Sequence, residues 1–291
     1  MRVREHMDEG GDLPAAGCRI QTWAAHAAHW NRLGPPLRPC REDLDRMVRA
    51  WTDSLPAGIP SRRVDVLSLG VTPEFAAFRW APETSITAID SSGDMIRAVW
   101  PGEGPHRRAV QGDWLQTPFA DESFDLAVCD AGLTQLAAEH QVKALGRELR
   151  RVLRPDGRVV MRHFAGAEDD ERIEDLVASA ETGGVGSFHE LKLRLLFAMA
   201  HGDPGRCVRL GDAWTTFERL FPDRPRLASR LGCAPEIVGT IDAYRDRDAH
   251  YAFPPLREVA QAFESFDLQL GPRGDYPLAE RCPVFSLTPR P

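Results

Sequence analysis

The sequence predicts a doubly wound α/β fold, a seven-stranded and mostly parallel sheet with helices on both faces. Three observations predict it. Short runs of strand character alternate with amphipathic stretches between residues 64 and 164. Those runs are almost continuously apolar, as strands covered on both faces are. Three of them end in an aspartate, at Asp90, Asp113 and Asp130, and open α/β sheets bind ligands outside the carboxyl ends of their strands.

Residues 1–16 are charged and without periodicity, which predicts disorder. Residues 17–34 put Ile20, Trp23, Ala24, Ala27 and Trp30 on one helical face. A proline-rich turn over 34–39 separates them from a helix over 42–55, with Leu44, Met47, Val48 and Trp51 on one side. These residues, 1–60, read as an N-terminal helical extension. A core over 61–165 follows. Its predicted strands cover 64–70, 85–90, 108–113, 124–130 and 158–164, and its helices 73–80, 92–100 and 139–153. Pro73 sits where a helix starts, and residues 155–157 (Pro-Asp-Gly) read as a turn. Alternation of this kind implies right-handed crossovers. Residues 166–254 break the rhythm with helical patterns such as Phe188, Leu191, Leu195, Leu196 and Met199, and read as a helical cap insertion. Residues 255–291 resume it, with a helix over 255–266 and strands over 267–271 and 283–288, completing the core sheet.

Composition narrows the function. The chain has 291 residues, 43% hydrophobic, enough for one large core with a cap. Net charge is −7 and Lys and Arg are scattered, which argues against nucleic acid as partner, since phosphate binding needs clustered positive charge. No run of 18 apolar residues occurs, so no membrane span is expected. The charged N-terminus predicts no signal peptide, and the chain reads as soluble and cytoplasmic. None of the six cysteines forms a C-x-x-C pair, and reduced thiols are expected. No metal-ligand spacing and no G-x-S-x-G elbow appear.

The strand ends carry the candidate site. Asp90 lies 20 residues past Gly70, the spacing at which a carboxylate accepts from both hydroxyls of a ribose. Asp113 suits an adenine amino group, and Trp114 or Met95 offers the base an apolar face. Asp130 ends the fourth strand. Aspartate also follows strands because it caps the next helix, but three in this order favour a nucleoside pocket. His140, after the fourth strand, and His163, ending the fifth, are candidate proton acceptors, although a lone histidine is more often a surface or satisfied core residue. His189, His201, His250 and Tyr251 lie in or beside the insertion and are candidate pocket residues. Trp214, Phe217 and Phe221, at helical spacing, read as cap core.

Several stretches resemble class I S-adenosylmethionine methyltransferases. They are residues 66–70 (VLSLG), 87–96 (TAIDSSGDMI), 111–114 (QGDW), 118–128 (PFADESFDLAV) and 149–157 (LRRVLRPDG). The resemblance implies S-adenosylmethionine as cofactor, with Asp90 holding its ribose and Asp113 its adenine, and a final antiparallel strand pair closing the sheet. The family's acid-x-Gly-x-Gly-x-Gly loop is altered. Ser68 replaces the acid, Gly70 remains, and Thr72 and Glu74 replace the other glycines. Thr72 resists positive φ and Pro73 lacks an N–H. Glu74 stands near a helix N-terminus, where it is either charge compensation or a general base. It also falls where the methionine carboxylate of the cofactor is expected.

Three functions fit. The first is a methyltransferase acting on a small molecule, in secondary metabolism, with the cap closing over the substrate and His140 or His163 as base. The second is the same fold without S-adenosylmethionine, assisting a cyclisation or elimination with Glu74 or a histidine removing a proton. The third is a non-catalytic partner subunit. The expected partners are a small-molecule substrate and a second protein chain, like or unlike, with no nucleic acid and no membrane.

Overall fold

The computed structural model describes residues 23, 26–54, 63–80, 83–167, 169, 171–203 and 205–290. The expectations for residues 1–16, and for Cys18, Ile20, Ala24 and Leu55, lie outside them. The strands are β1 (Asp65–Leu69), β2 (Ser85–Asp90), β3 (Arg107–Gln111), β4 (Phe124–Asp130), β5 (Leu153–Arg162), β6 (Cys207–Arg209), β7 (His250–Ala252), β8 (Phe266–Leu270) and β9 (Val284–Pro289). Seven form one sheet in the order β3-β2-β1-β4-β5-β9-β8. β1 to β5 pair in parallel, and β9 runs antiparallel to both β5 and β8.

Successive residues of a strand point to opposite faces, and both faces here are covered, which explains the continuous apolar runs. Val66, Val128 and Val160 pack with α1 (Arg41–Asp53), α2 (Pro73–Ala77) and α3 (Gly93–Val99) through Met47, Phe75 and Met95. Leu67, Ala127 and Val159 point the other way, toward α4 (Glu139–Val152) and its Val142, Leu145 and Leu149. The spacing of those three puts one stripe of α4 on the sheet. Gln141 closes the start of α4 by accepting from the Ala138 N–H at 3.3 Å.

The insertion folds as α5 (Ile173–Thr182), α6 (Phe188–His201), α7 (Leu210–Leu220), α8 (Arg224–Arg230) and α9 (Pro235–Val238). Its own cluster centres on Phe188, Leu191, Leu195, Phe217 and Phe253. Phe217 and Phe221 are buried there as expected, and the half-buried Trp214 donates its indole N–H to Asp242 at 2.9 Å. α10 (Leu256–Ala262) returns the chain to the core.

Three elements differ from expectation. Residues 155–157 are not a turn between elements but part of β5, which starts at Leu153. Leu153 already pairs with Phe124, and the register skips to Leu126 opposite Arg158, so the extra residues form a bulge. α2 ends at Ala77 because residues 78–80 leave the helical path, and the Trp80 indole donates to the Phe75 carbonyl at 2.7 Å. The cap is not all helical: β6 and β7 pair antiparallel, joining the middle of the insertion to its end.

A buried ion cluster ties the N-terminal segment to the sheet. Arg162, fully buried in β5, donates to Asp130 through Nε at 2.5 Å and Nη2 at 3.1 Å, and through Nη1 to the Pro36 carbonyl at 2.9 Å. Asp43 of α1 lies 3.6 Å from the same guanidinium and accepts from the Tyr276 hydroxyl at 2.6 Å. The five described cysteines are free. No helix among the described residues is long and apolar enough to cross a membrane.

Candidate active site

Between β1 and β4 the strand order reverses direction, and at this switch point the carboxyl ends of the strands open a crevice. A cavity of about 220 Å³ lies there, with the sheet on one side and the cap with the N-terminal segment on the other. Gly70, Asp90, Met95, Asp113, Trp114 and Asp130 all line it. The cavity therefore gathers six of the seven residues predicted to hold a cofactor.

Gly70 has φ +88°, a conformation only glycine takes without strain. A Cβ there would lie 3.5 Å from the Trp114 ring and 3.9 Å from Asp90 Oδ2, so ring and carboxylate both face the glycine. Asp90 accepts from the Ser92 N–H at 2.8 Å and also from the Val71 backbone. Burial pushes its carboxyl up to about 6, against the pull of those two bonds. A carboxylate has about four acceptor sites, so capacity remains for two ribose hydroxyls. Trp114 is held by its indole N–H on the Ile89 carbonyl at 2.8 Å. Gly132, after β4, makes room for it: a Cβ there would overlap the Cys129 sulfur and sit 3.0 Å from the Trp114 ring.

Asp113 does two things, lining the cavity while its Oδ1 accepts from the Leu115 N–H at 2.9 Å. Asp130 lines the cavity with its charge matched by Arg162. Burial raises its carboxyl while the guanidinium opposes that rise.

Ser68, Glu74, His140 and His163 stand apart from the cavity. Ser68 is fully buried and its hydroxyl donates to the Gly70 carbonyl at 2.7 Å, bracing the loop from behind. Glu74 is clasped by Arg38, whose Nε lies at 2.7 Å and Nη2 at 2.5 Å from Oε1. Arg38 in turn stacks on Trp30, 5.2 Å from the ring centroid. His140 is exposed on the first turn of α4. His163 is fully buried, its Nε2 donates to the Pro254 carbonyl at 2.8 Å, and burial lowers it to about 4. Neither histidine lines the cavity. Of the insertion candidates, Tyr251 lines it and His189, His201 and His250 do not.

The cap and the N-terminal segment add residues that sequence reasoning missed: Lys192 and Tyr244 from the first, His26 from the second. A signal for Lys192 existed. It lies four residues after Phe188 and three before Leu195, on the apolar stripe of α6, where a lysine is out of place.

Residues 67–161 match the family model described as a methyltransferase domain. A demethylmenaquinone methyltransferase of Corynebacterium efficiens is 38% identical over 80 residues, 27% of this chain and 31% of that protein. One of Beutenbergia cavernae is 31% identical over 137 residues, 43% of this chain and 56% of that protein. The chain thus spans between 31% and 56% of the length of these curated relatives. A solved structure from Rhodobacter sphaeroides, provisionally described as a Zn-dependent alcohol dehydrogenase, superposes with a TM-score of 0.58 at 14% identity, over 96% of this chain and all of that one. At that identity the likeness is one of fold. The sheet order and the methyltransferase-domain match over residues 67–161, β1 to β5, agree with the resemblance to class I S-adenosylmethionine methyltransferases, with a loop after β1 in which Gly70 alone remains of that family's three glycines.

Proposed function

We propose that the protein methylates a small molecule held between the sheet and the cap, with S-adenosylmethionine as donor, as a step in small-molecule biosynthesis. One observation carries the reading: a single cavity has Gly70, Asp90 and Trp114 on one wall and Lys192, Tyr244 and Tyr251 on the other. A nucleoside and a second molecule then meet in one space. The names of the curated relatives support a small-molecule acceptor.

The residues fit the nucleoside half of the donor. Asp90 has unused acceptor capacity, Gly70 lets backbone and ligand approach closely, and Met95 with Trp114 forms an apolar wall. The methionine half is served differently from the family pattern. Ser68 is spent on the Gly70 carbonyl. Glu74 is paired with Arg38 and so presents no bare anion to the methionine carboxylate. When bound, S-adenosylmethionine supplies a methyl group on a positively charged sulfur. This chain supplies position and dryness, with Phe164, Leu196 and Phe253 shielding the space from water. Calorimetric titration with S-adenosylhomocysteine tests the reading. Micromolar binding that Asp90→Ala abolishes is expected, and no heat at millimolar ligand removes the reading.

A second reading, chemistry without S-adenosylmethionine, rests on Ser68, which has replaced the acid and turned away from the cavity. It requires turnover of a substrate with no nucleoside bound. Glu74, held by Arg38 and off the cavity wall, is not its base.

A further inference from the structure

The cap holds a charge for which the transfer reading alone has no use. Lys192 is 1% exposed and lines the cavity. An ammonium has three N–H donors. One reaches the Thr240 carbonyl at 3.4 Å, a long contact, and the Tyr244 ring centroid lies 4.2 Å from Nζ. No carboxylate among the described residues pairs with it. The groups facing it are His26 from the N-terminal segment, His189 from α6 itself, Tyr244 and Tyr251. Burial, aided by Lys192, lowers His26 to about 3 and His189 to about 4, so both are neutral near pH 7 and neither offers a countercharge. The Tyr251 hydroxyl is occupied with His26 Nε2 at 3.2 Å. Burial lowers the Lys192 amine to about 7, so it is only partly ionised near pH 7 and gains its charge in full with an anion beside it. A buried ammonium without a partner is costly, and such groups in clefts mark ligand sites.

The surroundings narrow the ligand. Leu193, Leu196, Phe164 and Phe253 make the space next to Lys192 apolar. A carboxylate brings two oxygens and about four acceptor sites, more than the N–H donors left beside Thr240 and the Tyr244 ring satisfy. A phenolate or enolate brings one oxygen, with its charge spread into an apolar ring. We infer that Lys192 is the subsite for an acidic hydroxyl on an apolar ring, a phenol or enol bound as its anion. The inference deepens the methyl-transfer reading and rests on it in one respect, that this molecule is the methyl acceptor.

The probe is para-nitrophenol, whose anion absorbs visible light. It is titrated into the full chain roughly one pH unit below the probe's own pKa, where the free probe is mostly protonated. Bound probe is expected to show its phenolate band and to bind more tightly than nitrobenzene. Lys192→Met is expected to weaken binding at least about tenfold and to lose the band. It is also expected to melt higher, because a buried unpaired charge is gone. Lys192→Gln gives the same loss of band if the methionine variant misfolds. No binding by the unaltered protein, an equal band in both variants, or benzoate displacing the probe at lower concentration than phenol does overturns the inference. A parallel S-adenosylhomocysteine titration separates the two readings. Nucleoside binding without a phenolate band sinks the Lys192 subsite alone, and a band without nucleoside binding removes only the transfer reading.

Discussion

The two walls of the cavity are built on opposite terms. On the sheet wall every charged group has a partner within the protein: Asp130 has Arg162, Asp113 has the Leu115 N–H, and Asp90 has the backbone of Ser92 and Val71. On the cap wall Lys192 has one long hydrogen bond and an aromatic face, and no carboxylate. A wall whose charges are satisfied in advance is a fixed receptor, rigid before any ligand arrives. A wall with an unmatched charge is completed by its ligand. The difference fits a site in which the sheet holds a molecule common to the family and the cap selects the second one.

Breaking the sheet wall has the largest expected effect at Arg162. Replacing it by methionine strands Asp130 without its cation and leaves Asp43 only Arg46, at 3.3 Å, and denaturant unfolding is expected to show a loss of about 3–5 kcal/mol. Unchanged stability would show that the pair is not what seats the N-terminal segment on the sheet. Asp90 comes next. Its carboxyl stands at about 6, above its ordinary 3.8, so the folded protein binds more protons than the unfolded one between those values. Stability therefore falls as pH rises through that window. Binding runs the other way, because the ionised form accepts hydroxyls better. Affinity for S-adenosylhomocysteine is expected to climb as pH passes 6 and then level, and to be flat across that range in Asp90→Asn.

Gly70→Ala probes the loop itself. Its Cβ meets only ordinary contacts, so the cost is that of φ +88°, about 1–2 kcal/mol by thermal unfolding. A smaller loss would mean that the loop relaxes freely. The smallest effect is expected at His140. Exposed and away from the cavity, its alanine variant should stay within about 0.5 kcal/mol in stability. It should also leave nucleoside binding unchanged; a large drop would return His140 to the site.

The same contrast explains what the sequence revealed. Strands such as β2 and β4 were legible to the residue, because a strand covered on both faces writes its burial in an unbroken apolar run. Gly70, Asp90 and Asp113 were legible because their spacing follows from the βαβ unit and not from tertiary detail. The β5 bulge was not, since residues 155–157 (Pro-Asp-Gly) carry the same local signal whether the chain turns between elements or bulges within one. Glu74 and His163 misled for a related reason. A titratable group near a strand end looks available until Arg38 or the Pro254 carbonyl is seen to claim it. Lys192, Tyr244 and His26 come from α6, a 3-10 turn and the N-terminal segment, and nothing local joins residues so far apart in the chain.

The most direct test is a crystal structure of the protein grown with S-adenosylhomocysteine. Density for both ribose hydroxyls within hydrogen-bond reach of Asp90, beside Gly70 and on the sheet side of the cavity, is the predicted result. Nucleoside density elsewhere, with Asp90 still bonded only to Ser92 and Val71, contradicts the account.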